Sequence, residues 1–486
     1  MPYILSIDSG TTTVRALIYN HMAEIIAISQ QEITLYYPQQ GWVEQDAIEI
    51  YEKQLAVCIS ALEKANLSWD QIATIGIANQ RETTVMWDKN TGMPIYNAIV
   101  WQDNRTLDIC DSWKNKKLQK EVMSKTGLVI DTYFSATKIK WLIAYATKQQ
   151  LALKNLLVGT IDTWLIWNLT QREIHATDTS NASRTMLYNI HTHTWDINLC
   201  QMMNIPTSLL PEVKNSADDY GFAIINNNKI KINSSIGDQQ AALYGHSCYA
   251  IGDTKNTYGT GCFILMNTGK QAVKSNNGLL TTIAWTIQGE TTYALEGSVF
   301  HAGSVIQWLR DELKILQTAD ESERIAETVS DNGGVVFVPA FSGLGSPYWK
   351  ADAKGIITGL QRSTSYAHIV RAALESIALQ NNDVLRAMQY DSKYSLSHLK
   401  VDGGGTQNTL MMQMQADIAA CEMHISQNKE ITSLGAAKMA ALYIGISIEE
   451  NKNNMIIKPS TTSKAYREQV LLQWQKAIAS IMRDLQ

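Results

Sequence analysis

Ile7-Asp8-Ser9-Gly10-Thr11-Thr12-Thr13 near the start of the chain and Thr257-Tyr258-Gly259-Thr260-Gly261 past its middle carry one design twice. Each is a strand-like stretch, a Gly-Thr turn and a returning stretch. Glycine permits a tight turn in which backbone N–H groups converge, and such a nest binds anionic oxygens. The threonine hydroxyls add donors. A solvent-exposed hairpin turn that merely uses Gly and Thr is the other reading of either copy. Two copies of a phosphate-holding hairpin imply two similar α/β domains facing a shared cleft, residues 1–246 and 247–486. No low-complexity linker marks the boundary, so the repeat alone places it.

Working outward, Tyr3–Ile7, Ala16–Tyr19 and Ile25–Ile28 read as an antiparallel meander. Asp46 is placed to cap a helix whose apolar positions are Ile48, Tyr51, Leu55, Cys58 and Leu62. Strands are expected at Ile72–Ile77, Leu156–Ile161, Thr291–Leu295, Val335–Val338 and Leu399–Val401. Helices are expected from about Tyr366 to Met388, from near Asn408, and from Ser463 to the end. The last has Tyr466, Val470, Trp474, Ile478, Ile481 and Leu485 as its buried stripe.

The chain has 486 residues, which suits two large domains. A 45% hydrophobic fraction provides real cores, and a net charge of -5 offers no bulk field for nucleic acid or an anionic membrane. Any bound phosphate must therefore be held locally. The six cysteines are scattered, without a CxxC pair or zinc-ligand spacing, and read as reduced thiols. The N-terminus lacks the features of a signal peptide, and no run approaches the ~20 apolar residues of a membrane span. The expectation is a soluble cytoplasmic protein.

Further residues extend the phosphate theme. Asp8, at a strand end, can reach a magnesium ion or its waters, and Arg15 can neutralise charge on a transferring phosphoryl group. Asp402-Gly403-Gly404-Gly405-Thr406-Gln407-Asn408 lets a flat ligand approach the backbone, or is a helix entry capped by Thr406 or Asn408. There is no GxxxxGK[ST], and no glycine cluster completes GxGxxG after a strand. In Asn79-Gln80-Arg81-Glu82-Thr83-Thr84, the adjacent Arg and Glu can grip neighbouring hydroxyls, or form a surface ion pair of little worth. Asp238 in Ile236-Gly237-Asp238-Gln239-Gln240 is either a helix cap or a carboxylate that takes the proton from an attacking alcohol.

With these motifs in place, the chain resembles the FGGY carbohydrate kinases over nearly its whole length. NQRETT, NAIVWQ, DTWLIW, SNASRTMLYNIHT, GDQQAALYG, KNTYGTGCF, GLLTTIA, YALEG and IQWLRDE are similar to the glycerol-phosphorylating members, as is the run from Gly345–Trp349 to Ala373–Ala378. The resemblance implies duplicated actin/hexokinase-like (ribonuclease H-like) α/β domains with an interdomain cleft. It implies ATP-dependent phosphorylation of glycerol, or of a related polyol or sugar, with Mg2+ as cofactor and Asp238 as general base. Polyol contacts then fall on Arg81, Glu82, Trp101, Tyr133, Asp238, Gln239 and Phe263. Nucleotide contacts fall on Thr11, Thr12, Thr13, Arg15, Thr260, Gly303, Gln307, Gly404 and Asn408. Asp8 and Asp238 would face the magnesium, and the assembly would be a homodimer or homotetramer. Ser9, Thr132, Ala136 and His301 depart from the residues usual at their positions in that family.

The resemblance also bears on regulation. Some bacterial members bind fructose bisphosphate through a Gly–Arg loop, which Ile225-Asn226-Asn227-Asn228-Lys229 lacks, and others carry a phosphorylatable histidine, absent between Tyr220 and Ile236. The expected outcome is a steady-state rate that does not change on adding fructose bisphosphate. Strong inhibition would overturn it.

Overall fold

The computed structural model describes residues 2–350, 352–449, 454–460 and 463–483. The first hairpin joins β1 (Tyr3–Ser9) to β2 (Thr13–Tyr19), and β3 (Ile25–Glu32) completes the antiparallel meander. After α1 (Ala47–Ala65), the strand β4 (Ile72–Asn79) lies parallel to β1. A later hairpin, β5 (Phe222–Ile225) and β6 (Asn228–Gly237), closes the sheet in the order β5-β6-β4-β1-β2-β3. The strand pattern follows from alternating and continuous apolar runs whose inner faces are fully buried, as Ile4, Leu5, Ile7, Ile75 and Ile77 are.

The second half repeats this plan. Following α2 (Asp238–Gly245), the hairpin of β7 (Thr254–Tyr258) and β8 (Cys262–Gly269) is flanked by β9 (Leu280–Ile287) and β10 (Glu290–Val299). Beyond α3 (Gly303–Asp311) and α4 (Tyr366–Ser392) come β11 (His398–Asp402), α5 (Thr409–Ala419), β12 (Glu422–Ser426), α6 (Ile431–Tyr443) and β13 (Asn454–Ile457). The chain's last described helix is α7 (Ser463–Arg483). The sheet order β9-β10-β8-β7-β11-β12-β13 contains the run β10-β8-β7-β11-β12, which matches β3-β2-β1-β4-β6 in both adjacency and sense. The duplication inferred from two short turns is thus a duplication of whole sheets.

Two details differ from the sequence reading. Asp46 does cap α1, accepting from Ile48 N–H and Glu49 N–H, but the buried face runs through Ala47, Ile50, Gln54, Val57 and Ala61 as well as Cys58 and Leu62. Ile48, Tyr51 and Leu55 flank it, half-buried. Gln54 lies within that face because its Nε2 donates to the Arg15 carbonyl, a buried amide that apolar spacing does not mark. α4 runs on past the expected Met388 to Ser392, and almost every position from Ala372 to Val384 is buried, so it is a central helix. On α7, Val470, Trp474, Ile478 and Ile481 are buried and Tyr466 packs against the same core; Leu485 lies outside the described residues. All six cysteines are buried and free, and among the described residues no helix is long and apolar enough to cross a membrane.

The halves interlock rather than merely touch. α6 comes from the second half of the chain, yet its Leu434, Ala437 and Ala441 pack with Ile4, Leu17 and Tyr19 of the first sheet. Its other side lies on α2, and Gly435 is pressed so closely to α2 that an added Cβ would collide with the Ala241 carbonyl. Backbone cannot retreat as a side chain can. Gly435→Ala is expected to lower stability by about 1–3 kcal/mol, read as a drop in the urea midpoint at constant slope.

Candidate active site

The first turn is built at the end of β1. Asp8 stands opposite Arg15 in the β1–β2 register, and Gly10 N–H donates to the Thr13 carbonyl at 2.9 Å. Two glutamines hold the turn from behind. Gln45 Nε2 donates to the Thr11 carbonyl (2.6 Å), and Gln80 Nε2 donates to the Gly10 carbonyl (3.1 Å) and to Gln45 Oε1 (2.9 Å). Thr12 is thereby left exposed and Thr11 and Thr13 half-buried. Burial pushes the Asp8 carboxyl up to about 7, with Arg15 pulling it down and Asp238 and Glu430 pushing it further up. Arg15 is itself held by Glu430, the residue before α6, at 2.6 Å.

The second turn is gripped by α3. The N–H groups of Ala302, Gly303 and Ser304 donate to the Gly259 and Thr260 carbonyls at 2.9–3.1 Å. This brings Thr260 and Gly303 together and sets Gln307 one turn along, exposed. It also means that these particular N–H groups are spent on the hairpin. Gly403 and Gly405 lie against Tyr258 at the end of β7, so the glycine run joins the same edge, with Gly404 exposed. Asn408 performs the helix-capping job. Its Oδ1 accepts from Met411 N–H at 2.8 Å, and its Nδ2 donates to Ser322 Oγ at 3.3 Å.

Trp101 links the two turns. Its Nε1 donates to Thr11 Oγ1 at 2.9 Å, and its ring lies 6.1 Å from Phe263, just past the second turn, and 5.6 Å from Tyr133. Both Gly-Thr turns therefore open onto one cleft.

At the floor of that cleft is a cluster of buried charges. Arg81 meets Glu296 of β10 through both guanidinium ends, Nη1 to Oε2 at 2.6 Å and Nη2 to Oε1 at 2.9 Å. Nη1 also donates to Gln240 Oε1 and Nη2 to Tyr133 Oη, both at 3.2 Å, so the Nη hydrogens are committed to the protein. Arg81 Nε remains, 3.3 Å from Asp238 Oδ1. Arg184 donates to Glu82 Oε1 (2.7 Å) and Glu296 Oε1 (2.9 Å). Burial alone would raise the Glu296 carboxyl; Arg184 and Arg81 outweigh it and hold it below the usual range. Glu82 is raised by burial, partly offset by Arg81 and Arg184. It sits at φ 61°, a left-handed backbone costly for a non-glycine residue, pinned by Thr84 Oγ1 and Ser135 Oγ donating to its carbonyl at 2.9 and 3.0 Å.

Asp238 opens α2, where its Oδ1 accepts from Gln239 N–H at 2.7 Å. Its side chain is 28% exposed, against 0–2% for those of Arg81, Glu296, Arg184 and Glu82. It is the most exposed carboxylate of the group. Burial raises its carboxyl, while Arg81, the Gln239 N–H and Lys255 pull it back. Gly237 before it must be glycine, since a Cβ there would come within 2.8 Å of Arg81 Cγ and Cδ. The Gly237 N–H donates to Ser180 Oγ, whose hydroxyl donates to Asp178, so a polar turn steadies the segment before Asp238.

Several of these residues were not singled out from sequence as site residues. Glu296 and Arg184 lie inside the quoted stretches YALEG and SNASRT, but nothing local marks them as partners of Arg81. Lys138 is another. Fully buried and pushed down to about 8, its Nζ donates to the carbonyls of Thr132, Tyr133 and Phe134 at 2.6, 2.7 and 3.2 Å. It fixes the turn that carries Tyr133, next to Thr132, from a helix that also carries Ala136. Ser9 is buried, its hydroxyl without a partner among the described residues. His301 bridges Ser304 and Ser342, and burial pushes its imidazole down to about 4.

Two copies of one sheet, each ending in a Gly-Thr turn, and a partly exposed carboxylate beside them form the frame of a two-lobed phosphotransferase. The chain belongs to the FGGY family of carbohydrate kinases, whose N-terminal domain model matches residues 3–245 and whose C-terminal domain model matches 254–444. It is 52% identical to a glycerol kinase of Clostridium botulinum (strain 657 / Type Ba4) over 489 residues, covering 99% of this chain and 98% of that protein. It is 51% identical to the glycerol kinase of Caldanaerobacter subterraneus subsp. tengcongensis, covering 99% of each. A crystal structure of Plasmodium falciparum glycerol kinase with ADP superimposes with a TM-score of 0.90 at 36% identity, over 99% of this chain and 98% of that one.

The charge cluster yields a direct test. Arg184→Met leaves Glu82 and Glu296 buried with Arg81 as their remaining arginine. Stability is expected to fall by about 3–5 kcal/mol in urea unfolding, as when one member of a buried ion pair is removed.

Proposed function

We propose that the chain transfers the γ-phosphoryl group of ATP to glycerol, giving sn-glycerol 3-phosphate and ADP, with Asp238 as general base. The observation that carries this reading is the position of Asp238. It is the exposed carboxylate of an otherwise buried charge cluster, in a cleft onto which both Gly-Thr turns open. Full-length relatives named glycerol kinase support the choice of substrate. The family models meet around residues 246–253, which supports a division into domains 1–246 and 247–486.

In this reading glycerol lies against Trp101 and Phe263, with its hydroxyls turned to Arg81, Glu82, Tyr133, Asp238 and Gln239. ATP lies above it, phosphates at Thr11–Thr13 and Thr260, adenosine towards Gly303, Gln307, Gly404 and Asn408. The alcohol oxygen attacks the γ-phosphorus as its proton passes to Asp238, and the bond to ADP breaks in line. Arg15 exchanges Glu430 for the transferring phosphoryl oxygens. Among the described residues no group of three or more His, Cys, Asp or Glu could enclose a metal. Magnesium is held by one or two carboxylates, waters and substrate phosphates. Asp8 and Asp238 would be those carboxylates here, and the ion would supply neutralisation of phosphate charge.

An ADP-coupled assay over a panel of polyols, ketoses and sugar acids tests the substrate, with glycerol expected to give the highest kcat/KM. In the same assay Asp238→Asn is expected to lose roughly 100-fold or more in kcat while its thermal unfolding is unchanged. Near-normal turnover in that variant would remove Asp238 from the role.

A further inference from the structure

Lys255 lies on β7, the strand that leads into the second Gly-Thr turn. Its side chain is fully buried, where lysine is rarely found unpaired. Its Nζ makes two hydrogen bonds, to Gln239 Oε1 at 2.5 Å and to Thr257 Oγ1 at 2.9 Å. It also lies in the fields of Asp402 and Asp238, while burial pushes it down to about 8. The proposed mechanism does not use it.

The chemistry of this contact is one-sided. An ammonium has three donors and no acceptor, whereas a glutamine amide offers an oxygen on one side and an N–H pair on the other. The Lys255 ammonium can therefore be met only by the oxygen of Gln239. The amide is thus forced to turn its Nε2 away from Lys255, and that nitrogen makes no hydrogen bond to any described residue. Gln239 is half-buried beside Asp238. Without Lys255 either face of the amide could point to the cleft, and the site would present a mixture of donor and acceptor.

We propose that Lys255 is a positioning residue for the polyol: it fixes the Gln239 amide so that its N–H donors, not its oxygen, face the substrate hydroxyl. This rests on the reading of the cleft floor as the polyol site. It makes Gln239 a donor to the lone pair of a hydroxyl, while the neighbouring carboxylates of Asp238 and Glu82 take hydroxyl protons. A polyol hydroxyl can serve both at once, and an aldehyde, ketone or ether oxygen cannot satisfy the carboxylate half. The ion that sets this selectivity sits in the second half of the chain, whereas Gln239 is carried by α2 at the end of the first.

The test uses the full-length enzyme and separates binding from chemistry. Lys255→Met keeps the length of the side chain and removes the charge. We expect the glycerol KM to rise about tenfold, the loss of roughly one directed hydrogen bond, with the ATP KM within twofold of wild type. Lys255→Arg, which retains a donor-only head, is expected to recover most of the glycerol KM. Gln239→Glu in the wild-type background turns a carboxylate to Lys255, offers no donor, and is expected to raise the glycerol KM at least as much as Lys255→Met. A folded Lys255→Met enzyme with an unchanged glycerol KM would overturn the proposal, as would equal rises in the glycerol and ATP KM values. If Lys255→Met does not fold, Gln239→Glu decides: an unchanged glycerol KM there overturns it. Failure of the substrate reading is seen separately, as a wild-type enzyme that prefers another substrate in the panel; the same variants are then read with that substrate.

Discussion

The pairing of Arg81 with Glu296 is the contact on which the rest of the molecule depends. Arg81 follows the central strand of the first sheet, and Glu296 lies on a strand of the second. Both charges are buried, so neither half can be completed alone without leaving an ion in a medium that solvates it poorly. Arg184 and Glu82 extend the pair into an alternating set in which each carboxylate sees two cations and each cation sees two carboxylates. Such a set has little net charge, and its members hold one another in direction. Apolar residues of similar volume would join the lobes as firmly. What they would not supply is a fixed array of donors and acceptors at the floor of a cleft.

That array explains why Asp238 differs from its neighbours. Glu82 and Glu296 each lie against both arginines. Asp238 faces only Arg81 Nε at 3.3 Å and its own helix N–H, and it keeps contact with solvent. Burial raises its carboxyl above the usual range, and Arg81, the Gln239 N–H and Lys255 pull against that rise. Around it the scaffold is rigid for identifiable reasons. Gly237 lets Arg81 pass, Ser180 and Asp178 hold the strand end, and Lys138 gathers three successive carbonyls under Tyr133.

The two turns, the meander and the long helices were legible in the sequence because they rest on local rules. Glycine and threonine at a strand end, apolar alternation and capping residues act over a few positions. Asp238 was singled out from its place at a strand–helix junction, whereas Trp101 and Phe263 entered through resemblance. What sequence did not show is the set of partners whose meaning is purely tertiary. Arg184 is separated from Glu82 by 102 residues and from Glu296 by 112, and no periodicity relates them. The burial of α1 was shifted for a similar reason, since the polar Gln54 lies at the centre of its face to meet the Arg15 carbonyl at 2.8 Å. Local pattern marks what is apolar, and here a buried amide was needed to satisfy a backbone acceptor at the rim of the site.

The same economy of donors constrains how the cleft can work. Arg81 has its Nη hydrogens committed, so an arriving hydroxyl must compete for Nε, the group that now faces Asp238. In the proposed reading, binding the alcohol therefore inserts it between cation and base, taking a donor from one and offering a proton to the other. Arg15 is arranged likewise, since the phosphoryl group it would meet must displace Glu430. Each substrate then replaces an internal ion contact rather than filling an empty one. In that reading water would do the same only weakly, because it lacks the second and third hydroxyls that Glu82, Tyr133 and Gln239 would hold. Discrimination against hydrolysis of ATP would then rest on that arrangement of partners as well as on exclusion of water.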